Sequence, residues 1–328
     1  MTPMPPHRRW SRPRRLIQMG ALLFMTAALA FALMPWQKEV PVRMSIPALT
    51  RSAPFYVAMD KGFFRNEGVR VEVTVPTTGK AGVQMLAAGS VDLAGAGGMP
   101  VIEAILNGQS LWILAALSLD GRYFGLVVPA DVERFEQLKG KRVAVTIGTT
   151  PDLFVRTMLL GAGLTRTDVT WVGMRPDEMP HALASGYVDA ACTFGPLLTQ
   201  TAAALPSARI LYADGTFLDH WLLVASPALV RSTPETVRKV LSALVRALHY
   251  IHQHPDESKG IVSRHLTAPQ HDWDHSDFSI QLDSIVAQTL TANASVIRGG
   301  RQDLPDFQRY FYYPGLQAVL RSAVMVAP

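Results

Sequence analysis

Four short segments of this 328-residue chain carry residue types suited to holding a small polar molecule: Thr50-Arg51-Ser52-Ala53, Gly97-Gly98-Met99, Gly148-Thr149-Thr150 and Phe194-Gly195. Each follows an apolar, strand-like run and leads into a helix or a proline turn. Free backbone N–H groups at helix starts, hydroxyls and one guanidinium would converge there, and such groups recognise an anionic head. Ordinary helix capping accounts for any one segment, whereas four in equivalent positions point to a shared cleft. With the nearby Phe55, the candidate ligand-binding set is Thr50, Arg51, Ser52, Phe55, Gly98, Met99, Gly148, Thr149, Thr150 and Phe194.

Other chemistry is poorly supplied. Gly79-Lys80 is followed by Ala81, not Ser or Thr, and lacks the upstream glycine of a phosphate-cradling loop. In Gly95-Ala96-Gly97-Gly98, Pro100 stands where a dinucleotide fingerprint needs its third glycine, so no cofactor is expected. His249, His252 and His254 end a helical pattern at Pro255 without an acidic or cysteine ligand beside them. His271 and His275 flank Trp273, with Asp272 and Asp274 placed to cap a helix. No metal is expected from either cluster. Cys192 is the only cysteine and falls in the apolar run Ala190 to Phe194, which suits a small buried hydrophobe. The aromatic stretch Phe307 to Tyr313 suits core packing. No nucleophile stands at a recognisable spacing from a base, so no catalytic residue is assigned.

The elements that would position the four segments are duplicated. Leu86-Ala87-Ala88-Gly89-Ser90-Val91-Asp92 lies without a gap over Leu183-Ala184-Ser185-Gly186-Tyr187-Val188-Asp189, and the same offset places Pro54 on Pro151. Each copy runs strand (Val42 to Pro47; Val143 to Gly148), loop, helix at the matched proline, second strand (Val69 to Val75; Val169 to Met174), helix, Gly-x-Val-Asp break and third strand. The two aspartates suit backbone bonding at a strand entrance, and the glycines suit a left-handed turn. Alternating strands and helices predict parallel sheets covered on both faces, with ligands beyond the carboxyl ends of the strands. In the first copy, Pro54 to Arg65 reads as one amphipathic helix. Apolar strands near Gly121 to Val128 and Trp221 to Ala225 predict two crossings between the copies. Thr233-Pro234-Glu235 reads as the start of a helix whose stripe is Val237, Val240, Leu241, Leu244, Val245, Leu248 and Ile251.

Length alone favours two lobes. The formal charge of +5 comes from Arg8, Arg9, Arg12, Arg14 and Arg15; the remainder balances to zero, which argues against nucleic acid. Those arginines precede an apolar run, Leu16 to Met34, and Pro35, the pattern of a secretory leader. Residues 1–35 are therefore expected to be a signal peptide, or an inner-membrane anchor if uncleaved.

Pro54-Phe55-Tyr56-Val57-Ala58 followed by Gly62-Phe63-Phe64, Gly68-Val69, Gly89-Ser90-Val91-Asp92-Leu93, Leu138-Lys139-Gly140-Lys141-Arg142-Val143 and Gly186-Tyr187-Val188-Asp189-Ala190 with Pro196 resemble the nitrate/sulfonate/taurine and pyrimidine-precursor (NMT1/THI5-like) binding proteins of ABC importers. The resemblance covers roughly residues 42–265. It implies a type II two-lobed periplasmic binding protein, α/β, each lobe a mostly parallel sheet with helices on both faces. Residues 42–122 and 222–328 would form lobe 1 and residues 123–221 lobe 2. It implies a monomeric, periplasmic protein that binds a small, anionic or sulfonate-like solute without chemistry and hands it to an inner-membrane ABC permease. Many sulfonate and taurine binders have an aromatic beside an acidic residue just before the proline at 196; this chain has Phe194-Gly195. The rivals are an enzyme on the same fold, of the pyrimidine-precursor synthase or small-acid dehydratase type, and a membrane-anchored sensor lobe.

Overall fold

The computed structural model describes residues 40–120, 122–213, 215–266, 273, 276–301 and 303–320. The expected leader and the second histidine cluster lie outside the described residues. Strand β1 (Val40–Ser45) alternates buried Val42 and Met44 with exposed Pro41 and Arg43, the period-2 pattern of a half-buried strand. A 3₁₀ turn at Thr50–Ser52 leads into α1 (Ala53–Asp60), with Pro54 in its first turn. The single helix read over Pro54 to Arg65 is broken: Gly62 adopts φ +68° and α2 (Phe63–Asn66) restarts after it, because only a residue without Cβ takes that turn cheaply.

Strand β2 (Val69–Thr74), helix α3 (Gly79–Ala87), strand β3 (Leu93–Ala96), helix α4 (Gly98–Leu106) and strand β4 (Trp112–Asp120) complete the first copy. The second copy holds β5 (Phe124–Val128), β6 (Arg142–Val145), α5 (Thr150–Gly161), β7 (Thr170–Gly173), α6 (Met179–Ala184), β8 (Ala190–Phe194), α7 (Gly195–Ala203) and β9 (Arg209–Leu211). Strand β10 (Asp219–Ala225) then returns, followed by α8 (Pro227–Ser232), α9 (Pro234–Gln253), α10 (Pro255–Ser263), β11 (Asp277–Gln281), α11 (Ser284–Ile297) and α12 (Tyr313–Gln317).

Two sheets result, ordered β2-β1-β3-β10-β4-β11 and β7-β6-β8-β5-β9. Within each copy the strands pair in parallel, β2 with β1 and β1 with β3, β7 with β6 and β6 with β8. The crossing strands pair antiparallel, β10 against β3 and β5 against β8. Each sheet is thus mixed: after the crossing, the chain enters the other sheet running backwards. The first sheet draws on residues 40–120 and 219–281, the second on residues 124–211.

The duplication is visible at the atomic level. Arg43 reaches the Asp92 carboxylate at 2.7 Å and the Gly89 carbonyl at 3.0 Å; Arg142 reaches Asp189 at 2.8 Å and the Gly186 carbonyl at 2.7 Å. Both aspartates also accept the backbone N–H of their arginine. Gly89 and Gly186 take φ +71° and +69°. Hydrogen bonds from Arg142 hold the Asp189 carboxyl below its ordinary range, over the opposing effect of burial. These aspartates tie each third strand to the first.

The cores are apolar. Val237, Val240, Leu241, Leu244, Val245, Leu248 and Ile251 of α9 are all buried. Thr233 precedes that helix, but its hydroxyl donates to Leu229 O at 3.1 Å and does not cap the helix. Phe307 and Phe311 are buried in the first core. Cys192 is fully buried, and burial pushes its thiol well up. Among the described residues no three His, Cys, Asp or Glu side chains converge as a metal site, and no helix is long and apolar enough to cross a membrane.

Candidate functional site

The carboxyl ends of β1, β3, β6 and β8 face one another across the gap between the sheets. The antiparallel strands complete this edge. Because Leu222 of β10 pairs with Ala96 of β3, the start of β10 at Asp219 falls beside the Gly97-Gly98 turn. Because Phe124 of β5 pairs with Phe194 of β8, Tyr123 and Phe124 stand beside the Phe194-Gly195 turn.

At the centre is a buried ion pair. Arg51 Nη1 donates to Asp219 Oδ2 at 2.8 Å, and Arg51 Nη2 donates to the Asp219 carbonyl at 2.8 Å. The Gly98 N–H donates to Asp219 Oδ1 at 2.8 Å, and the Thr150 hydroxyl adds a further bond to that carboxylate. Arg51 is 1% exposed and Asp219 is fully enclosed. The guanidinium lies 5.3 Å from the ring centre of Tyr123, 5.6 Å from Phe124 and 5.3 Å from Trp221, within cation–π range. Burial pushes the Asp219 carboxyl up, while Arg51, the Gly98 N–H and the Thr150 hydroxyl pull it down. Removing Arg51 would leave the Asp219 carboxylate fully buried without this counter-charge, the costly case.

A cavity of about 40 Å³ adjoins this pair. It holds a few waters and no more, so a larger guest requires the sheets to part. Leu49, Thr78, Lys80, Pro100, Thr149 and Phe194 contribute to its walls together with Arg51 and the three rings around it. The walls approach closely. A Cβ on Gly97 would lie 2.3 Å from Thr150 Oγ1, and one on Gly148 would lie 2.0 Å from Lys80 Nζ, so glycine is what allows contact at both places. Lys80 Nζ donates across the gap to Ile147 O at 3.1 Å. The Trp221 indole is 3% exposed and lines the cavity, and its N–H has no hydrogen-bond partner among the described residues. A larger groove of about 830 Å³ runs along β9 and the second half of α5, away from the strand-end loops.

Of the residues singled out from sequence, Arg51, Thr149, Thr150 and Phe194 line the cavity. Gly98 is adjacent, its N–H committed to Asp219. Gly148 lies beneath Lys80, and its N–H donates to Asp152 Oδ2 at 2.8 Å. Thr50 and Ser52 are fully buried, and the Ser52 hydroxyl donates to Pro47 O at 2.8 Å within its own turn. Phe55 packs in the first core and Met99 in the second. The Thr149 hydroxyl donates to Thr146 O at 2.6 Å. The donors expected to be free for a guest are therefore largely used by the protein itself.

The sequence reading did not assign Thr78, Lys80, Tyr123, Asp219 or Trp221 to the site. In sequence, Lys80 stands beside an incomplete phosphate-loop pattern, and Trp221 falls in an apolar strand. One signal was available: Asp219 and His220 at the head of a strand buried at every position, where charged groups require partners. His220 is 1% exposed, and its imidazole is pushed down to about 4 by burial and by the Arg51 charge, against the pull of Asp283.

Two mixed sheets flanked by helices, with matched strand-end loops enclosing a small cavity, define a two-lobed α/β protein. The chain belongs to the NMT1/THI5-like family, which matches residues 49–258. It is 26% identical over 258 residues to a Brucella abortus protein named as a binding protein, covering 74% of this chain and 78% of that one. It is 24% identical over 239 residues to the taurine-binding periplasmic protein of Escherichia coli, covering 71% and 72%. A pyrimidine phosphate synthase is also among its relatives. The alkanesulfonate-binding protein SsuA of Xanthomonas axonopodis pv. citri, solved bound to MOPS, superposes with TM-score 0.72 at 21% identity, over 83% of this chain and 98% of that one. The fold is that of periplasmic binding proteins.

Proposed function

We propose that the protein is the periplasmic solute-binding component of an ABC import system, taking a small sulfonate-like anion into the cavity and releasing it unchanged to an inner-membrane permease. The first sheet, from residues 40–120 and 219–281, would belong to one lobe and the second, from residues 124–211, to the other, so that β10 places the second boundary before Asp219 and not at residue 222, with the hinge where the chain passes between the two sheets. The observation that carries the reading is the juxtaposition of Gly97 with Thr150 and of Lys80 with Gly148, groups from the strand ends of opposite sheets pressed together over a cavity of about 40 Å³. Such contact supports a cleft that opens, admits a solute and closes. The names of the relatives support a sulfonate or related anion as the solute. The partner would be the permease, and the protein would work as an exported monomer.

Turnover is not part of this reading. The buried carboxylate Asp219 is engaged by Arg51 and Gly98, and the hydroxyls of Ser52 and Thr149 are held by backbone carbonyls, so none is poised as a nucleophile. The test is a melting screen of the leaderless protein against nitrate, taurine, alkanesulfonates, bicarbonate and pyrimidines, followed by mass spectrometry of recovered solute. A solute bound only by the native state raises the apparent melting temperature. A hit recovered intact upholds the reading, and a hit converted to product replaces it with the enzyme on the same fold.

A further inference from the structure

Two cationic side chains line the cavity, and they differ in what holds them. Arg51 is boxed by three aromatic rings and neutralised by Asp219, which occupies Arg51 Nη1, the Gly98 N–H and the Thr150 hydroxyl, the set an incoming anion would otherwise use. Lys80 stands in the first turn of α3 and is only half-buried. Its ammonium donates to a neutral carbonyl, Ile147 O, on the opposite side of the gap, and pairs with no carboxylate among the described residues. The Glu103 carboxylate lies over the same glycine, Gly148, without joining it. A second observation stands beside it: Trp221, part of the cavity wall, carries a buried indole N–H with no acceptor among the described residues. A buried donor without an acceptor is costly unless something fills it.

We infer that Lys80 is the residue that reads the charge of the solute, its ammonium leaving Ile147 O for the solute's anionic oxygens, while Arg51 and Asp219 form a fixed neutral wall and the Trp221 N–H takes a further acceptor on the same molecule. The assignment rests on the anionic reading of the solute and moves head-group recognition from Arg51 to Lys80.

The experiment is calorimetric titration of the native protein, Lys80→Met and Lys80→Arg with ethanesulfonate, and with cytosine as an uncharged probe. A charge-assisted bond lost from an enclosed site weakens binding by about tenfold to a hundredfold. Lys80→Met should therefore lose that much affinity for ethanesulfonate, Lys80→Arg should keep most of it, and the empty proteins should melt alike. Equal affinity of native protein and Lys80→Met for ethanesulfonate would overturn the assignment and leave the solute-binding reading standing. So would a native protein that binds cytosine and not ethanesulfonate. A native protein that binds nothing in the wider solute screen would remove the reading itself and this assignment with it.

Discussion

Closing the gap depends on a glycine whose backbone does not require one. Gly97 has φ −70° and ψ 171°, a conformation open to any residue, so Gly97→Ala adds a methyl group without backbone strain. That methyl carbon would sit 2.3 Å from Thr150 Oγ1 and 3.1 Å from Asp219 Oδ2, where ordinary contact begins at 3.4 Å. Relief needs a retreat of about 1 Å by the loop of the opposite sheet, or rotation of Thr150 away from the carboxylate it bonds. Overfilling a packed contact costs about 1–3 kcal/mol. That corresponds to a weakening of solute affinity by roughly fivefold to a hundred-and-fifty-fold. If the cleft opens before binding, as the proposed function requires, Thr150 no longer stands over Gly97 in the open cleft, and the melting temperature of the empty protein should then hardly move. The assay is titration calorimetry with the solute found by the melting screen, joined to X-ray scattering for the solute-induced decrease in radius. Thr150→Ala removes the clashing oxygen and leaves its Cβ at an ordinary 3.5 Å, so the double variant should recover affinity relative to Gly97→Ala alone. A Gly97→Ala protein that binds and contracts like the native one would refute the closed geometry, as would a double variant no tighter than the single.

Three further outcomes follow from the same structure. His220 is held neutral, its folded value near 4 against about 6.5 in the unfolded chain, so the unfolded chain takes up a proton first as pH falls from 6.5 to 4, and stability is lost across that window by about 3 kcal/mol in total. Urea unfolding at pH 7.5, 5.5 and 4.5 should show a shallower acid loss for His220→Gln than for the native protein, and equal losses would contradict the assignment. Asp219→Ala should destabilise by about 3–5 kcal/mol, because it removes the carboxylate that a buried guanidinium faces, whereas Asp189→Ala, whose carboxylate is 31% exposed, should cost about 1 kcal/mol or less in salt-bridge energy. Denaturation midpoints of the two variants decide it, and comparable losses would mean that the central pair is not desolvated as described. Gly260→Ala lies inside α10 with open space at its Cβ and no positive φ, so it should stabilise by about 0.5–1 kcal/mol, and a lower melting temperature would count against a regular helix there.

The duplicated pattern, the strand and helix order and the two crossings were legible in the chain because they rest on local rules. Period-2 and period-3.6 burial, prolines at helix starts, and glycines such as Gly89 and Gly186 act within a few residues and repeat at a fixed offset. The same reading located the strand-end loops, since loops at the carboxyl ends of strands follow from the alternation itself. Local rules failed first at Gly62, where one glycine divides a helix that the apolar stripe carried straight through. They failed more widely at the site. Ser52, Thr149, Gly98 and Gly148 have the right chemistry in sequence, but which acceptor each donor finds depends on side chains far along the chain: Asp219 meets Gly98 across 121 residues and Arg51 across 168. Lys80, Trp221 and Asp219 reach the cavity only because β10 re-enters the first sheet antiparallel and because the two halves close on each other. Sequence determined which residues lie at the strand ends. Tertiary structure decided which of them keep a free valence there, because a buried donor or charge is claimed by the nearest complementary group in space, and that group is not its neighbour along the chain.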